Sequence, residues 1–84
     1  MRVKFAGIPY EINKNLIESK LQGVAPEIGR RFFIEVGGVM YPIKQAVSVA
    51  IGRPVTEIGT NVCYATLRRL GFEIHDEQAG DRHD

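Results

Sequence analysis

Alternating apolar and polar residues along the first half of the chain predict two β-hairpins. The first turns at Ala6-Gly7 and the second at Gly37-Gly38. The second is the clearer signal, because its flanking runs are rich in β-branched and aromatic residues and its turn requires positive φ at both central positions. The four predicted strands cover residues 2–5, 8–12, 31–36 and 39–41.

Three other segments repeat apolar residues with the 3.6-residue period of a helix. Each follows a capping residue or a proline and ends at a glycine, which are common signals for the start and end of a helix. After the third helix, residues 72–75 alternate again and predict a last strand. The start and end residues of the helices are Asn13 and Gly23, Pro42 and Gly52, and Thr60 and Gly71.

These elements predict a small single domain of the α+β class. Two β-hairpins and a C-terminal strand should pack against three short helices, in the order β-β-α-β-β-α-α-β. A chain of 84 residues is long enough for one core and too short for two. We assign the domain to residues 1–75 and expect 76–84 to be a disordered acidic tail, since the composition becomes polar there.

Residues 5–12 are similar to residues 36–43, which would make residues 1–29 and 30–59 two copies of one unit. Each copy would contain a hairpin, a helix and a loop. Chance similarity is the alternative, because the chain contains nine glycines. A true duplication predicts pseudo-symmetric packing of the two hairpins.

The composition excludes several classes of protein. The chain is 44% hydrophobic, yet it contains no apolar run long enough to span a membrane or to act as a signal peptide. Cys63 is the single cysteine, so an internal disulfide is impossible and a reducing compartment is expected. We therefore expect a cytoplasmic protein without a membrane partner.

The net charge of +1 conceals an uneven distribution of charge. Residues 1–71 contain ten Lys or Arg and five Glu, whereas residues 72–84 contain five Asp or Glu and one Arg. A basic body favours an anionic partner such as nucleic acid, while the alternative is ordinary solvated surface charge.

Residues that could support catalysis or metal binding are sparse. His75 and His83 lie close to several aspartates, but ligands on a terminal segment lack the surrounding hydrogen bonds that orient a metal site. Cys63 falls on the inward face of its predicted helix together with Tyr64, Leu67 and Leu70, so we expect it in the core. A core this small also leaves little room for a deep pocket. The sequence therefore predicts neither an enzyme nor a cofactor.

The third helix has an outward face that could contact nucleic acid. Asn61, Ala65, Arg68 and Arg69 share this face, and arginine and asparagine are the side chains that read base edges, while small residues allow close approach. The alternative is that Arg68 and Arg69 only stabilise the negative end of their helix. Three more cations could supply phosphate contacts: Arg30, Arg31 and Lys44.

A resemblance to a known family rests on three parts of the chain: residues 36–45, Gly52-Arg53-Pro54 at the predicted end of the second helix, and residues 67–72. They are similar to the N-terminal head domain of McrA-type modification-dependent HNH restriction endonucleases and to a group of short uncharacterised bacterial proteins. The resemblance covers about residues 31–75. It implies a small α+β module associated with DNA processing and not a nuclease, since the HNH motif and a second domain are both missing.

Two functions therefore remain open. The first is a non-enzymatic nucleic-acid-associated module, expected to bind DNA, which uses the outward face of the third helix. The second is a protein-interaction or inhibitor module of a bacterial defence or mobile-element system, which would dock on a larger protein through a hairpin edge.

Overall fold

The computed structural model describes residues 1–28 and 31–77, which form two antiparallel sheets and three α-helices. The α+β class and the order of elements are as predicted, with one 3₁₀-helix added between the last two α-helices. The elements are β1 (Arg2–Phe5), β2 (Ile8–Glu11), α1 (Lys14–Leu21), β3 (Phe32–Val36), β4 (Val39–Pro42), α2 (Ile43–Ile51), the 3₁₀-helix (Val55–Glu57), α3 (Thr60–Arg69) and β5 (His75–Asp76).

Both predicted hairpins are present, and each turns through two residues with positive φ. The β3–β4 hairpin closes across Gly37 and Gly38, whose φ angles are 59° and 80°. These angles confirm the predicted turn, in which both central positions need positive φ. The β1–β2 hairpin has the same form across Ala6 (φ 52°) and Gly7 (φ 78°). An alanine therefore occupies a position that favours glycine or asparagine.

The last strand is shorter and lies later in the chain than residues 72–75, where the sequence predicts it. It covers His75–Asp76 and pairs antiparallel with β3, which gives the sheet order β4-β3-β5. The alternation at 72–75 is misleading because Phe72 is buried in the core directly after the turn that ends α3. Asp76, predicted as the first residue of the tail, belongs to this sheet, and residues 78–84 lie outside the described residues.

The predicted N-cap is correct for α1 and displaced by one residue in α3, whereas the glycines predicted to end α2 and α3 are correct. The Asn13 side chain accepts a hydrogen bond from the N–H of Leu16 at 2.8 Å. Pro42 still belongs to β4 and is the N-cap of α2, not its first helical residue. Thr60, predicted as the cap of α3, is the first residue of that helix, and Gly59 holds the N-cap position. Glycine has no side chain to accept from the first N–H groups, so the start of α3 has no side-chain cap.

A single hydrophobic core joins the helices to both sheets. Helix α2 packs against both α1 and α3. No helix within residues 1–28 and 31–77 has the length and apolar character needed to cross a membrane. The buried hydrophobic residues are Phe5, Ile12, Ile17, Leu21, Ile34, Tyr41, Ile43, Ala46, Val47, Ile58, Cys63, Leu67 and Phe72.

Two side chains at the junction of β4 and α2 fix the loop that follows α1. The hydroxyl of Tyr41 donates a hydrogen bond to the carbonyl oxygen of Val24 at 2.8 Å. The buried amide of Gln45 donates to the carbonyl of Ala25 at 2.9 Å and accepts from the N–H of Glu27 at 2.8 Å. Both residues belong to the stretch 36–45, which carries part of the resemblance, so part of this stretch has a structural role in this protein.

The two similar segments of the sequence adopt similar local structures. In both hairpins a two-residue turn joins directly paired residues, Phe5 with Ile8 and Val36 with Val39, and a helix follows each second strand. The hairpins belong to separate sheets, while the helices that follow them, α1 and α2, pack against each other. The duplication stays a prediction.

Candidate nucleic-acid interface

One side of α3 faces solvent, and it is the side that the sequence predicts. Asn61, Ala65, Arg68 and Arg69 are all exposed. The opposite side is buried through Cys63, Thr66 and Leu67, which confirms that Cys63 is a core residue. Helix α3 contains no acidic residue, so its exposed face carries only neutral and positively charged groups. We call the four exposed residues the α3 face.

Arg68 and Arg69 have no carboxylate partner within 4 Å in the part of the chain that the structure describes. Both lie in the last turn of α3, where a cation interacts favourably with the helix dipole, so this alternative to nucleic-acid binding remains open. The dipole interaction is worth about 0.3–1 kcal/mol and does not bury the guanidinium groups. Both arginines remain available to an anionic ligand.

Arg31 has an acidic partner that the sequence analysis did not foresee. Its guanidinium makes two hydrogen bonds of 3.1 Å with the carboxylate of Asp76 and lies 4.8 Å from the centre of the Phe32 ring. The hydrogen bonds to Asp76 raise the pKa of Arg31 above its usual value. Arg31 is thus partly neutralised and would be a weaker phosphate contact than predicted. Arg30 lies outside the described residues.

Lys44 lies in the first turn of α2, in an open cleft of about 490 Å³. A cation near the N-terminus of a helix opposes the helix dipole, and no carboxylate lies within 4 Å of Lys44 among the described residues. The cleft brings together two of the predicted site residues, Arg31 and Lys44, and the first residue of α3, Thr60. Its other lining residues are Glu27, Ile28, Phe32, Pro42, Ile43, Gln45 and Val55.

Cys63 is buried on the side of α3 opposite the α3 face, and its thiol is unreactive. Burial raises the pKa of its thiol to about 12, and the positive charge of Lys44 only partly opposes this effect. The thiolate, which is the nucleophilic form, is therefore scarce at neutral pH. This agrees with the expectation that Cys63 packs as a small hydrophobic residue.

An aromatic contact connects the cleft to the α3 face. The rings of Phe32 and Tyr64 meet edge to face, with their centroids 5.1 Å apart. Phe32 lines the cleft, whereas Tyr64 and Arg68 line a second depression at the other end of the helix. Three of the six predicted site residues, Asn61, Arg68 and Arg69, thus share the exposed side of α3. Lys44 and the paired Arg31 lie in the cleft at the N-terminal end of that helix.

Sequence reasoning missed two features near the C-terminal half of α3, the position of Tyr64 and a contact of Lys14. Tyr64 was predicted to point inward, but it is only half buried, because its position falls at the border between the two sides of the helix. Lys14 places its ammonium group 5.2 Å from the centre of the Phe72 ring. The 100° spacing of helical residues could have revealed the position of Tyr64, whereas no local pattern relates Lys14 to Phe72.

The described residues contain no group of three or more His, Cys, Asp or Glu side chains placed to hold a metal ion. His75 lies on β5 opposite Phe33. His83, the other histidine considered for a metal site, lies outside the described residues.

Two antiparallel sheets and three α-helices around one core make the described residues a small α+β domain. The chain belongs to the SCO5918-like family, which it matches over residues 1–84. No curated protein and no solved structure matches it.

Proposed function

We propose that this protein is a non-enzymatic nucleic-acid-binding module that docks through the α3 face. One observation carries the proposal: α3 has no acidic residue, and its exposed side presents Arg68 and Arg69 without a carboxylate partner in the described chain. Unpaired, exposed guanidinium groups suit phosphate, because they form bidentate hydrogen bonds with its oxygens.

The mechanism would combine phosphate contacts with limited base recognition. Arg68 and Arg69 would bind the backbone from the C-terminal end of α3, and Lys44 would extend the contact past its N-terminal end. Asn61 is exposed one helical turn before Ala65 in the sequence. Its side chain could reach a base edge, as asparagine does with adenine. The resemblance to head domains of DNA-processing enzymes is an expectation from the sequence, and it would favour DNA as the ligand.

Binding to labelled DNA at two salt concentrations tests this function. Neutralising a few phosphates gives weak, salt-sensitive binding, with dissociation constants of about 1–100 µM near physiological salt. We expect fluorescence anisotropy of a labelled 12-mer to show binding at 50 mM salt that weakens strongly at 200 mM. Absence of binding at 50 mM salt would contradict the proposal.

A pair of double variants locates the binding surface. Arg68→Gln with Arg69→Gln should weaken binding at low salt and reduce the slope of log K against log salt by about 2, because each lost phosphate contact removes about one unit. The matched control is Lys4→Gln with Lys20→Gln, which removes the same charge from exposed positions on β1 and α1. Equal effects of both pairs would mean that only net charge matters.

A protein partner is the second candidate, and the sheet edges favour it. Within the described residues, β4 is an outer strand of its sheet and β1 and β2 pair only with each other. Exposed strand edges can accept a strand from another protein, and Ile8 on β2 is 40% exposed beside such an edge. The partner would be a larger protein of a bacterial defence or mobile-element system. A stoichiometric partner that remains bound after nuclease treatment would support this second function.

A further inference from the structure

A depression of about 380 Å³ lies beside the C-terminal half of α3, next to the α3 face. Its wall includes the half-buried ring of Tyr64, which packs against Phe32 on β3. Arg68 lies one helical turn after Tyr64 on the same helix. The lining residues are Tyr64, Arg68, Gly71, Phe72, Glu73 and Ile74.

Two cations flank the aromatic residues of this depression. Arg68 is exposed at its rim, and the ammonium group of Lys14 lies 5.2 Å from the centre of the Phe72 ring. Lys14 comes from the start of α1 and is related to the depression only through its contact with Phe72, which is one of the lining residues. Aromatic rings beside basic side chains are the combination that proteins use to bind single-stranded nucleic acid.

We propose that this depression receives an unpaired nucleobase, which stacks on Tyr64 while Arg68 and Lys14 bind the adjoining phosphates. This inference rests on the proposed function and specifies its ligand, a single strand. A base within a duplex is stacked between its neighbours and cannot enter a side pocket, whereas a base of a single strand can rotate outward.

Glu73 favours a base over a phosphate as the occupant of the depression. Its carboxylate is exposed and belongs to the lining, so it would repel a phosphate placed inside. A carboxylate can accept hydrogen bonds from the N–H groups on the edge of a base. The phosphates would therefore remain outside the depression, beside Arg68 at its rim and towards Lys14 near Phe72.

Comparing a base-containing strand with an abasic strand tests the inference directly. The probes are a labelled 12-mer of thymidine and a 12-unit abasic deoxyribose-phosphate strand of equal charge, both at 50 mM salt. Stacking of one base on an aromatic ring gives about a fivefold or larger gain in affinity. We expect the thymidine strand to bind at least fivefold more tightly than the abasic strand, and more tightly than a 12-base-pair duplex.

Variants of Tyr64 assign the difference to this depression. In Tyr64→Leu, the affinity for the thymidine strand should fall to the affinity for the abasic strand. In Tyr64→Phe, the difference in affinity between the two strands should remain, because the aromatic ring remains. Tyr10→Leu is the matched control, since Tyr10 is a half-buried tyrosine of the β1–β2 hairpin that packs against Phe5. Thermal melting by circular dichroism verifies that each variant is folded. If Tyr64→Leu does not fold, the comparison of the thymidine and abasic strands on the parent protein tests the inference.

The possible outcomes separate this inference from the proposed function. Equal, salt-sensitive binding of the thymidine and abasic strands would overturn the stacked base and leave backbone binding intact. A preference for thymidine that persists in folded Tyr64→Leu would overturn the assignment to this depression. Failure of all three probes to bind at 50 mM salt would overturn both proposals.

Discussion

Ala6 and Gly37 occupy the same position in two hairpins of the same form, yet only one of them is a glycine. Their φ angles are 52° and 59°, in the left-handed region. An alanine there costs about 1–2 kcal/mol relative to its preferred conformations, because its Cβ approaches the backbone. The protein tolerates this cost at Ala6, which makes the first turn a place where stability can be gained.

We predict that Ala6→Asn raises the free energy of unfolding by about 0.5–1 kcal/mol, since asparagine accepts the left-handed conformation more readily than alanine. Urea denaturation followed by circular dichroism measures the change. The reciprocal control, Gly37→Ala, should lower the free energy of unfolding by about 1 kcal/mol. Equal stabilities of Ala6→Asn and the parent protein would show that the turn is not strained.

Cys63 should make stability depend on alkaline pH. Its thiol has a pKa of about 12 in the folded state against 9.0 for a free thiol, so the unfolded chain ionises first as the pH rises. The contribution of Cys63 is therefore complete below pH 9 and declines between about pH 9 and pH 12. We predict that the free energy of unfolding falls more steeply from pH 8.5 to 10.5 in the parent protein than in Cys63→Val. Parallel profiles would contradict this.

At the scale of elements, the sequence predicts most of the fold and misses what depends on distant contacts. Local signals locate both hairpins, the Asn13 cap and the buried side of α3. The 3₁₀-helix at Val55–Glu57 has no periodic signal, because one turn is too short to show a period. The position of β5 depends on its pairing with β3, more than 40 residues earlier, and that pairing also brings Asp76 to Arg31. The sequence therefore locates the exposed side of α3 but does not reveal the ion pair of Arg31, and the binding role of these residues stays a prediction.

We predict that Asp76→Asn strengthens DNA binding about two- to fivefold at 50 mM salt and steepens the salt slope by about one, because it frees the Arg31 guanidinium for a phosphate. Fluorescence anisotropy at several salt concentrations gives both quantities. Glu35→Gln is the matched control, since it removes one exposed negative charge from β3. If both variants gain the same affinity, Arg31 has no specific part in binding.

At the scale of the whole molecule, the charged residues are distributed unevenly along the chain and over its surface. Within the described residues, ion pairs engage Arg31, Arg53 and the N-terminal ammonium group, while the arginines of α3 remain unpaired. The net charge of +1 hides this arrangement, because the acidic residues concentrate after residue 71. The sequence reveals the asymmetry of charge, but only the fold shows which cations are already neutralised.

The location of nucleic-acid contacts is the most direct test of the central claim. A two-dimensional ¹H–¹⁵N NMR titration of the whole chain with a 12-mer of thymidine would report it residue by residue. We predict that the largest amide shifts fall in α3 and in residues 71–74, with smaller ones at Lys14 and Lys44. Shifts confined to the β1–β2 hairpin, or no shifts at low salt, would contradict binding through the α3 face.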